Sequence, residues 1–166
     1  LAIADAGALA LNKSHGSPVP VIQDSVAHFS QRARERKIVL NTSATGADTV
    51  VDFDETRIRQ IISNLVENAL THTPNEGSVS VDIFGDHDDI KILVTDSGIG
   101  IAEADLPRIF DQFYRADQSR NRATGGAGLG LTIVKRLVEA HGGDISVTSN
   151  ADSGTTFRVV LPASRT

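Results

Sequence analysis

The chain contains two glycine-rich turns that say most about its function, Asp96-Ser97-Gly98-Ile99-Gly100-Ile101 and Gly126-Ala127-Gly128-Leu129-Gly130-Leu131. A strand-like segment ending in a carboxylate precedes the first turn, and a helix-like segment follows the second. Glycine permits positive φ and lets backbone N–H groups approach a ligand without an intervening side chain. A glycine turn that leads into a helix favours phosphate, because free N–H groups and the helix dipole point toward it. The pair of turns, together with an asparagine-bearing helix upstream, therefore predicts a nucleotide-binding site.

Length and composition are those of one globular domain with a short leader. The chain has 166 residues, of which 40% are hydrophobic and 22% charged, as in ordinary globular proteins. Its formal net charge of −5 argues against nonspecific binding to nucleic acid or to an anionic membrane. It contains no cysteine, which excludes disulfides, thiolate nucleophiles and zinc–thiolate sites.

No apolar run is long enough to span a bilayer and no signal peptide is visible. Because the chain starts at Leu1 and not at methionine, we expect an excised fragment.

Sequence periodicity predicts a mixed order of helices and strands. Predicted helices cover residues 1–11, 20–36, 54–71, 106–113 and 128–141. Predicted strands cover residues 37–42, 49–53, 78–84, 89–95, 144–149 and 155–161, the third and fourth joined as a hairpin. The intervening segments 12–20, 43–48 and 114–127 are predicted to be irregular. We assign residues 1–11 to the end of a helix of a neighbouring domain.

The helix predicted over residues 54–71, capped by Asp54, carries the first candidate site residues. Asn64 and Asn68 lie four residues apart and therefore share a stripe at the edge of the core. Carboxamide oxygens there can coordinate a hard cation, and Mg²⁺ bound to phosphates needs few protein ligands. The alternative is that each asparagine satisfies nearby backbone groups, but the two glycine turns downstream favour the metal and phosphate role. The core-facing stripe of this helix is Ile58, Ile61, Ile62, Leu65 and Ala69.

Asp96 ends a predicted strand and begins the first glycine turn. An ionised carboxylate accepts hydrogen bonds, and the exocyclic amine of adenine would donate one. Guanine has no donor at the same place, so a contact with Asp96 would favour adenine. The alternative is an aspartate that initiates a turn through its own side chain, and Asp-Ser-Gly taken alone favours that alternative.

Five motifs occur in an order that resembles the sensor histidine kinases of two-component systems. They are Asn64-Leu65-Val66-Glu67-Asn68-Ala69, Asp96-Ser97-Gly98-Ile99-Gly100, Phe110-Asp111-Gln112-Phe113-Tyr114-Arg115, Gly126-Ala127-Gly128-Leu129-Gly130-Leu131 and Ser153-Gly154-Thr155-Thr156-Phe157. They are similar to the N box, the first glycine box, the F box and two later glycine boxes of that family. The resemblance extends from about residue 20 to the end of the chain.

This resemblance implies a catalytic and ATP-binding domain with the Bergerat-type ATP-binding fold. Gyrase-type ATPases, ATP-driven heat-shock chaperones and mismatch-repair ATPases share that fold. The expected fold class is therefore α/β, a two-layer α+β sandwich with a mixed β-sheet. Helices are expected to pack on one face of the sheet, with ATP between the helices and a flexible ATP lid.

The resemblance also implies roles for individual residues. Asn68 resembles the family's Mg²⁺ ligand, with Asn64 supporting the metal and the phosphates. Asp96 resembles the residue that contacts adenine N6, and Thr155 resembles a polar contact near the adenine, made directly or through water. His72 lies close to a position where relatives carry a basic or aromatic group near the phosphates or ribose. A solvated histidine at the end of a helix is the equal alternative.

Further ATP-binding residues are implied in the glycine boxes and beside them. Gly98 and Gly100 resemble the turn that admits the base. The hinge and phosphate-contacting end of the lid is expected to contain Gly126, Gly128 and Gly130. The expected set is completed by Ile101, Tyr114, Arg115, Leu129 and Leu131.

The residue type at position 64 distinguishes the expected kinase activity from ATP hydrolysis. In the gyrase-like relatives the corresponding residue is a glutamate that activates water, and an amide cannot take that proton at neutral pH. A domain with asparagine at this position is expected to hold ATP without hydrolysing it efficiently. A kinase benefits, because the γ-phosphoryl group survives until its acceptor arrives.

The predicted lid contains three candidate catalytic cations, Arg115, Arg120 and Arg122. Phosphoryl transfer depends mainly on positioning and charge neutralisation, so cations near the γ-phosphate are expected. The alternative is that these arginines are solvated and paired with Asp111 and Asp117 at small energy. The nearby aromatic residues are expected to belong to the core, to anchor the base of the lid, or to do both: Phe110, Phe113 and Tyr114.

The phosphoacceptor histidine of the family is missing from the chain. None of the histidines precedes an acidic residue near Arg/Lys-Thr-Pro: His15, His28, His72, His87 and His141. We therefore expect residues 1–15 to be the C-terminal end of a dimerisation and phosphoacceptor hairpin plus linker, and residues 16–166 to be the catalytic domain. The fragment is expected to be monomeric and cytoplasmic, and its parent to be a homodimeric membrane sensor.

The predicted function is transfer of the γ-phosphoryl group of ATP, with Mg²⁺, to a histidine on the dimerisation domain. Relay to an aspartate of a response regulator would follow, and no nucleic acid is expected as a partner. One alternative is a protein-serine kinase of the anti-sigma-factor type, against which the leader segment and the F box argue. The other is a non-enzymatic, nucleotide-gated interaction module whose lid is recognised by a partner.

Overall fold

The computed structural model describes residues 10–111, 130–149 and 153–164. The helices are α1 (Val19–Ala27), α2 (Ser30–Glu35), α3 (Glu55–His72) and α4 (Gly130–Ala140), with a 3-10 turn at Leu106–Arg108. The strands are β1 (Ser14–Gly16), β2 (Val39–Thr45), β3 (Val51–Phe53), β4 (Ser78–Gly85), β5 (Asp89–Asp96), β6 (Asp144–Ser149) and β7 (Thr155–Pro162).

Five strands form the main sheet in the order β2-β4-β5-β7-β6. Strand β2 pairs in parallel with β4, and every other neighbouring pair in this sheet is antiparallel. The predicted mixed sheet is therefore confirmed, and β4 and β5 form the predicted hairpin. Strands β1 and β3 make a separate antiparallel pair.

Helices cover one face of the main sheet, as predicted. Alternate residues of the central strands are buried, as in the Ile90, Ile92, Val94 and Asp96 series of β5, because successive side chains of a strand point to opposite faces. Helix α3 contacts α1, α4 and the central strands. Its predicted core stripe is buried, which confirms the periodicity argument: Ile58, Ile61, Ile62, Leu65 and Ala69.

The two ends of α3 are fixed by polar side chains. The Asp54 carboxylate accepts a hydrogen bond from the Arg57 backbone N–H at 3.2 Å, which confirms the predicted N-cap. At the other end the Arg36 guanidinium donates to the Leu70 carbonyl at 2.7 Å and to the Thr73 carbonyl at 2.5 Å. The Leu70 carbonyl also accepts a hydrogen bond from the Thr73 backbone N–H at 3.4 Å, so Arg36 adds a second donor at this helix end.

Several predicted boundaries were wrong, for reasons outside local periodicity. The helix predicted over 20–36 is broken at His28 and Phe29 into α1 and α2. After α2 the Ile38 N–H donates to the Ala33 carbonyl, and this contact lies where the chain approaches β2. Residues 43–45, expected in a turn, extend β2 by pairing with β4. The segment 12–20 contains β1, which owes its form to β3.

The remaining differences lie near the limits of the described residues. Within the described part of 106–113 a 3-10 turn at Leu106–Arg108 replaces the predicted α-helix. Residues 1–9, the predicted lid at 114–127 and residues 128–129 lie outside the described residues. The predicted domain boundary falls between His15 and Gly16 of β1 and remains a prediction. Among the described residues, no helix combines the length and apolar character that a membrane crossing requires.

Candidate nucleotide-binding site

Asp96 is held as a buried carboxylate at the end of β5. Asp96 is only 5% exposed to solvent, and its Oδ1 accepts a hydrogen bond from the Gly98 backbone N–H at 2.8 Å. Burial raises the pKa of Asp96, while the Gly98 hydrogen bond, the positive charge of His72 and a backbone hydrogen bond from Thr155 act in the opposite direction. The site therefore contains a desolvated acceptor whose charge a ligand donor would stabilise.

Two glycines bring the backbone close around Asp96. A Cβ atom at Gly98 would lie 2.2 Å from the His72 carbonyl oxygen, so the first glycine turn packs directly on the end of α3. A Cβ atom at Gly154 would lie 2.0 Å from the Asp96 carbonyl oxygen, and the φ angle of Gly154 is +89°. Both positions require glycine, and together they join α3, β5 and the start of β7.

Beside Asp96, the hydroxyl groups of Thr155 and Ser149 are in hydrogen-bond contact with each other. Thr155 lies directly opposite Asp96 on β7 and is 6% exposed. Its Oγ1 lies 3.0 Å from the Ser149 Oγ at the end of β6. The Ser149 Oγ in turn accepts a hydrogen bond from the Ile101 N–H at 2.7 Å and donates to the Gly154 carbonyl at 2.9 Å. Ser149 therefore connects the predicted residues Thr155 and Ile101, and Asp96 is attached to Thr155 through the β5–β7 pairing.

Asn64 and Asn68 lie on one stripe of α3, both half-buried. Among the described residues neither carboxamide has a hydrogen-bond partner. The alternative in which each asparagine satisfies nearby backbone groups therefore has no support in this part of the chain. Two unpartnered amides on the helix whose end supports the Gly98 turn can bind phosphate oxygens or a hard cation.

His72 is the last residue of α3, and its side chain is exposed. Protein atoms around the ring lower the pKa of His72 by desolvation, and the negative charge of Asp96 acts in the opposite direction. Solvent access to the ring limits both effects. The structure places His72 close enough to Asp96 for their charges to interact, and the role of His72 beside a ribose or phosphate remains a prediction.

The start of α4 is attached to the F-box segment. The Thr132 hydroxyl donates to the Phe110 carbonyl at 2.9 Å. The Phe110 ring packs edge-on against Phe157 with centroids 6.1 Å apart, and the Lys135 ammonium lies 5.7 Å from its centroid. Phe110 thus belongs to the core side of the site. Of the predicted residues in this region, Gly130 is exposed and Leu131 is half-buried against the core.

The other predicted residues of the lid lie outside the described residues, and their roles remain predictions. They are Phe113, Tyr114, Arg115, Arg120, Arg122, Gly126, Gly128 and Leu129. Gly100 is described, with a φ angle of +77° in the first glycine turn.

Sequence reasoning missed Arg36 and Ser149. Arg36 holds the C-terminal end of α3 and also donates to the Asn75 Oδ1 at 3.2 Å, so it indirectly supports the His72 carbonyl beneath Gly98. It lies in a run of charged residues typical of any solvated helix, which carries no signal of this contact. Ser149 lies 48 residues from its partner Ile101, and only the paired strands bring them together.

The described residues contain no group of three or more histidine, aspartate or glutamate side chains that could hold a metal ion. The half-buried Asn64 and Asn68, which have no hydrogen-bond partner among the described residues, fit a Mg²⁺ ion that takes most of its ligands from phosphates and water. A cavity of about 390 Å³ lies at the other end of the sheet. Its lining includes Asp48 and Asp86, and two carboxylates disfavour phosphate there.

Comparison with known proteins assigns the chain to a protein family. The profile of the histidine kinase-, DNA gyrase B- and HSP90-like ATPases matches residues 53–165. The sensor histidine kinase WalK of Bacillus subtilis is 39% identical over 134 residues, which are 80% of this chain and 22% of WalK. The histidine-protein kinase BaeS of Escherichia coli is 34% identical over 99% of this chain and 35% of its own length.

Solved structures agree with the sequence comparison. The catalytic domain of histidine kinase ThkA superposes with a TM-score of 0.81 at 26% identity, covering 93% of this chain and all of that domain. Full-length ShkA in complex with AMPPNP gives a TM-score of 0.82 at 29% identity, covering 95% of this chain and 33% of ShkA. ThkA in complex with the response regulator TrrA gives 0.76 at 25% identity, covering 92% of this chain and 42% of that one.

The chain therefore belongs to the histidine kinase-, DNA gyrase B- and HSP90-like ATPases, and within them it is an ATP-binding catalytic domain of the sensor histidine kinase type. The two-layer fold expected from the five motifs is confirmed by these structures. The chain spans 22% and 35% of the length of WalK and BaeS, so it corresponds to a part of those kinases.

Proposed function

We propose that this chain binds Mg·ATP and, as part of a longer kinase, transfers the γ-phosphoryl group to a histidine of a dimerisation domain. Relay to an aspartate of a response regulator follows. The observation that carries the proposal is the buried Asp96 carboxylate beside Gly98, joined through the end of α3 to the helix that presents Asn64 and Asn68.

The adenine end of the proposed site is formed by Asp96 and Thr155. A desolvated carboxylate gains most from a donor, and the N6 amine of adenine is a donor. The Thr155 hydroxyl lies on the neighbouring strand at the same level of the sheet. This arrangement supports an adenine nucleotide over a guanine nucleotide.

The phosphate end of the proposed site is formed by α3. Asn68 would ligate Mg²⁺ through its carboxamide oxygen, and Asn64 would support the metal and phosphate oxygens. Bound Mg²⁺ supplies charge neutralisation to the phosphates. Arg115, Arg120 and Arg122 are proposed as additional cations from the lid.

The position of acidic and amide side chains on α3 supports assignment of the domain as a kinase and not as an ATP hydrolase. Water activation requires a base within hydrogen-bond reach. Helix α3 contains two glutamates, both exposed, and each is near an arginine: Glu55 is 3.2 Å from Arg59, and Glu67 is 3.9 Å from Arg32. Asn64 itself cannot accept a proton at neutral pH. Helix α3 thus presents an amide, and not a carboxylate, at the position where the gyrase-like relatives hold their water-activating base, which favours retention of the γ-phosphoryl group for transfer.

The partners of the longer protein are also proposals. Residues 1–15 would be the end of a dimerisation and phosphoacceptor hairpin with its linker, so the full protein would be a homodimeric membrane sensor and this chain a cytoplasmic monomer. The ThkA–TrrA complex is a precedent for contact between a related kinase and a response regulator. Recognition of a regulator by this chain is proposed by that analogy.

A reconstitution experiment tests the proposal. The chain is mixed with a separately purified phosphoacceptor hairpin of a related sensor kinase, Mg²⁺ and γ-labelled ATP. We expect label on the hairpin as an acid-labile, base-stable phosphohistidine, and no transfer when the acceptor histidine is replaced by alanine. Label in phosphoserine would favour the serine-kinase alternative. ATP binding without transfer to hairpins from several relatives would favour the nucleotide-gated module.

A further inference from the structure

We propose that Ser149 is a positioning residue that sets the base selectivity of the site by fixing the hydroxyl proton of Thr155. The inference rests on the proposed nucleotide site and adds a selectivity determinant to it. Ser149 lies at the end of β6 and acts through Thr155, its neighbour across the β6–β7 pair.

The hydrogen bonds of Ser149 use the full capacity of its hydroxyl group. A serine hydroxyl donates one hydrogen bond and accepts two. The Ile101 backbone N–H can only donate to it, at 2.7 Å, and the Gly154 carbonyl can only accept from it, at 2.9 Å. The single proton of Ser149 is therefore used on Gly154, and one acceptor position remains.

Thr155 fills that remaining acceptor position. Its Oγ1 lies 3.0 Å from the Ser149 Oγ, and the only proton left for this bond is its own. The reverse orientation would leave the Gly154 carbonyl without its hydroxyl donor, and Gly154 is buried. Leaving a buried carbonyl unpaired costs about 1–3 kcal/mol. The proton of Thr155 thus points to Ser149, and its lone pairs remain for a ligand.

The base then meets two acceptors and no side-chain hydroxyl donor. Asp96 and Thr155 face each other across β5 and β7, both buried on the same face of the sheet. An exocyclic amine carries two hydrogens and matches two acceptors, with or without one bridging water. A base with oxygen at position 6 would place that acceptor against the Asp96 carboxylate and the Thr155 hydroxyl oxygen, which are also acceptors, so no hydrogen bond would form. Ser149 therefore converts a hydroxyl that could serve either base into one that serves adenine.

Calorimetric titrations with ADP and IDP test this inference, since IDP carries oxygen in place of the amine at position 6. In Ser149→Ala the Thr155 hydroxyl is released and can donate to that oxygen. We expect the ADP-to-IDP affinity ratio to fall about tenfold, the size of one hydrogen bond gained by the wrong base. Thr148→Ala is the matched control, because Thr148 is exposed on the opposite face of β6, and its ratio should equal that of the parent.

Thr155→Val gives a second test that does not require Ser149→Ala to fold. It removes the acceptor, so ADP should bind about tenfold more weakly while IDP binds as in the parent or tighter. In the double variant Ser149→Ala/Thr155→Val, the gain in IDP affinity expected for Ser149→Ala alone should be absent.

Two outcomes would overturn the inference. One is a folded Ser149→Ala variant with the parental ratio, and the other is a Thr155→Val variant that weakens IDP as much as ADP. Either would leave the proposed function intact if the parent binds ADP, whereas a parent that does not bind ADP contradicts the proposed function itself.

Discussion

Asp96 and Thr155 lie directly opposite each other on β5 and β7, and both are buried on the same face of the main sheet. The strand pairing, and not a loop, therefore fixes the spacing of the two groups proposed to bind adenine. Groups on paired strands are held more rigidly than groups on loops.

Asp96→Asn should weaken adenine nucleotides and leave the fold intact. An amide at this position can turn a donor toward the N6 donor, and the charge-assisted hydrogen bond is lost. Such a bond contributes about 1.5–3 kcal/mol, so ADP affinity should fall roughly tenfold to a hundredfold. Titration calorimetry measures the affinity, and circular dichroism confirms the fold. An unchanged affinity in a folded variant would rule out Asp96 as the adenine contact.

The raised pKa of Asp96 predicts opposite pH dependences for folding and for binding. Because burial raises the pKa of Asp96 above its ordinary value of 3.8, the folded state binds this proton more tightly than the unfolded state does. The stabilisation from Asp96 is complete below pH 3.8 and is lost as the pH rises through the folded-state pKa. Nucleotide binding requires the ionised form, so affinity should rise over the same interval.

The measurement compares parent and Asp96→Asn, because other titrating groups then cancel. Chemical denaturation at a series of pH values from 3.8 to neutrality should show the parent losing free energy of unfolding relative to the variant. ADP titrations should show the affinity of the parent rising relative to the variant. Parallel pH profiles in both experiments would mean that Asp96 does not titrate in this interval.

Asn68→Ala should abolish Mg-dependent nucleotide binding. The substitution removes the carboxamide oxygen that we assign as the direct metal ligand, and the adjacent core stripe of α3 is apolar. Alanine is the best helix former, so α3 should remain intact. The measurement is the increase in ATP affinity on adding Mg²⁺, which should be large in the parent and absent in the variant. Equal increases would contradict the ligand assignment.

The sequence predicts elements that depend on local pattern and misses those that depend on distant pairing. Helix α3 was predicted within one residue at each end, because Asp54 caps it and its apolar stripe is regular. The β4–β5 hairpin followed from simple alternation. The parallel pairing of β2 with β4 and the β1–β3 pair have no local signal, since their partners lie far apart in the chain.

The same distinction holds within the candidate site. Asp96, Gly98 and Thr155 could be found because each lies in a motif. Ser149 could not, since a serine in an alternating strand looks like any solvated residue. Its contact with Ile101 exists only because β6 is the edge strand beside β7. Arg36 was missed for the same reason, because its acceptors Leu70 and Thr73 belong to another helix end.

Asn64→Glu tests the distinction between kinase and hydrolase. It restores a carboxylate where hydrolytic relatives hold their base, and a general base contributes on the order of 10²–10⁴ in rate. We expect only part of that gain, because the substitution adds the base alone and not the groups that would position the attacking water. ATP hydrolysis should rise and transfer to an acceptor hairpin should fall.

The added charge in Asn64→Glu also weakens ATP, so rates are compared at saturating nucleotide. Asn64→Gln is the matched control, since it has the same length and no charge. A saturated Asn64→Glu variant that hydrolyses ATP no faster than the parent would show that Asn64 does not face the attacking water.

The most direct test of the central claim is to map the nucleotide on the isotope-labelled domain by NMR during titration with Mg·ADP. The account predicts the largest shifts for the side-chain amides of Asn64 and Asn68 and for the backbone amides of Gly98 and Thr155. Residues around the cavity at the far end of the sheet, such as His87, should be unaffected. Shifts concentrated around that cavity, with Gly98 and Thr155 unchanged, would contradict the account.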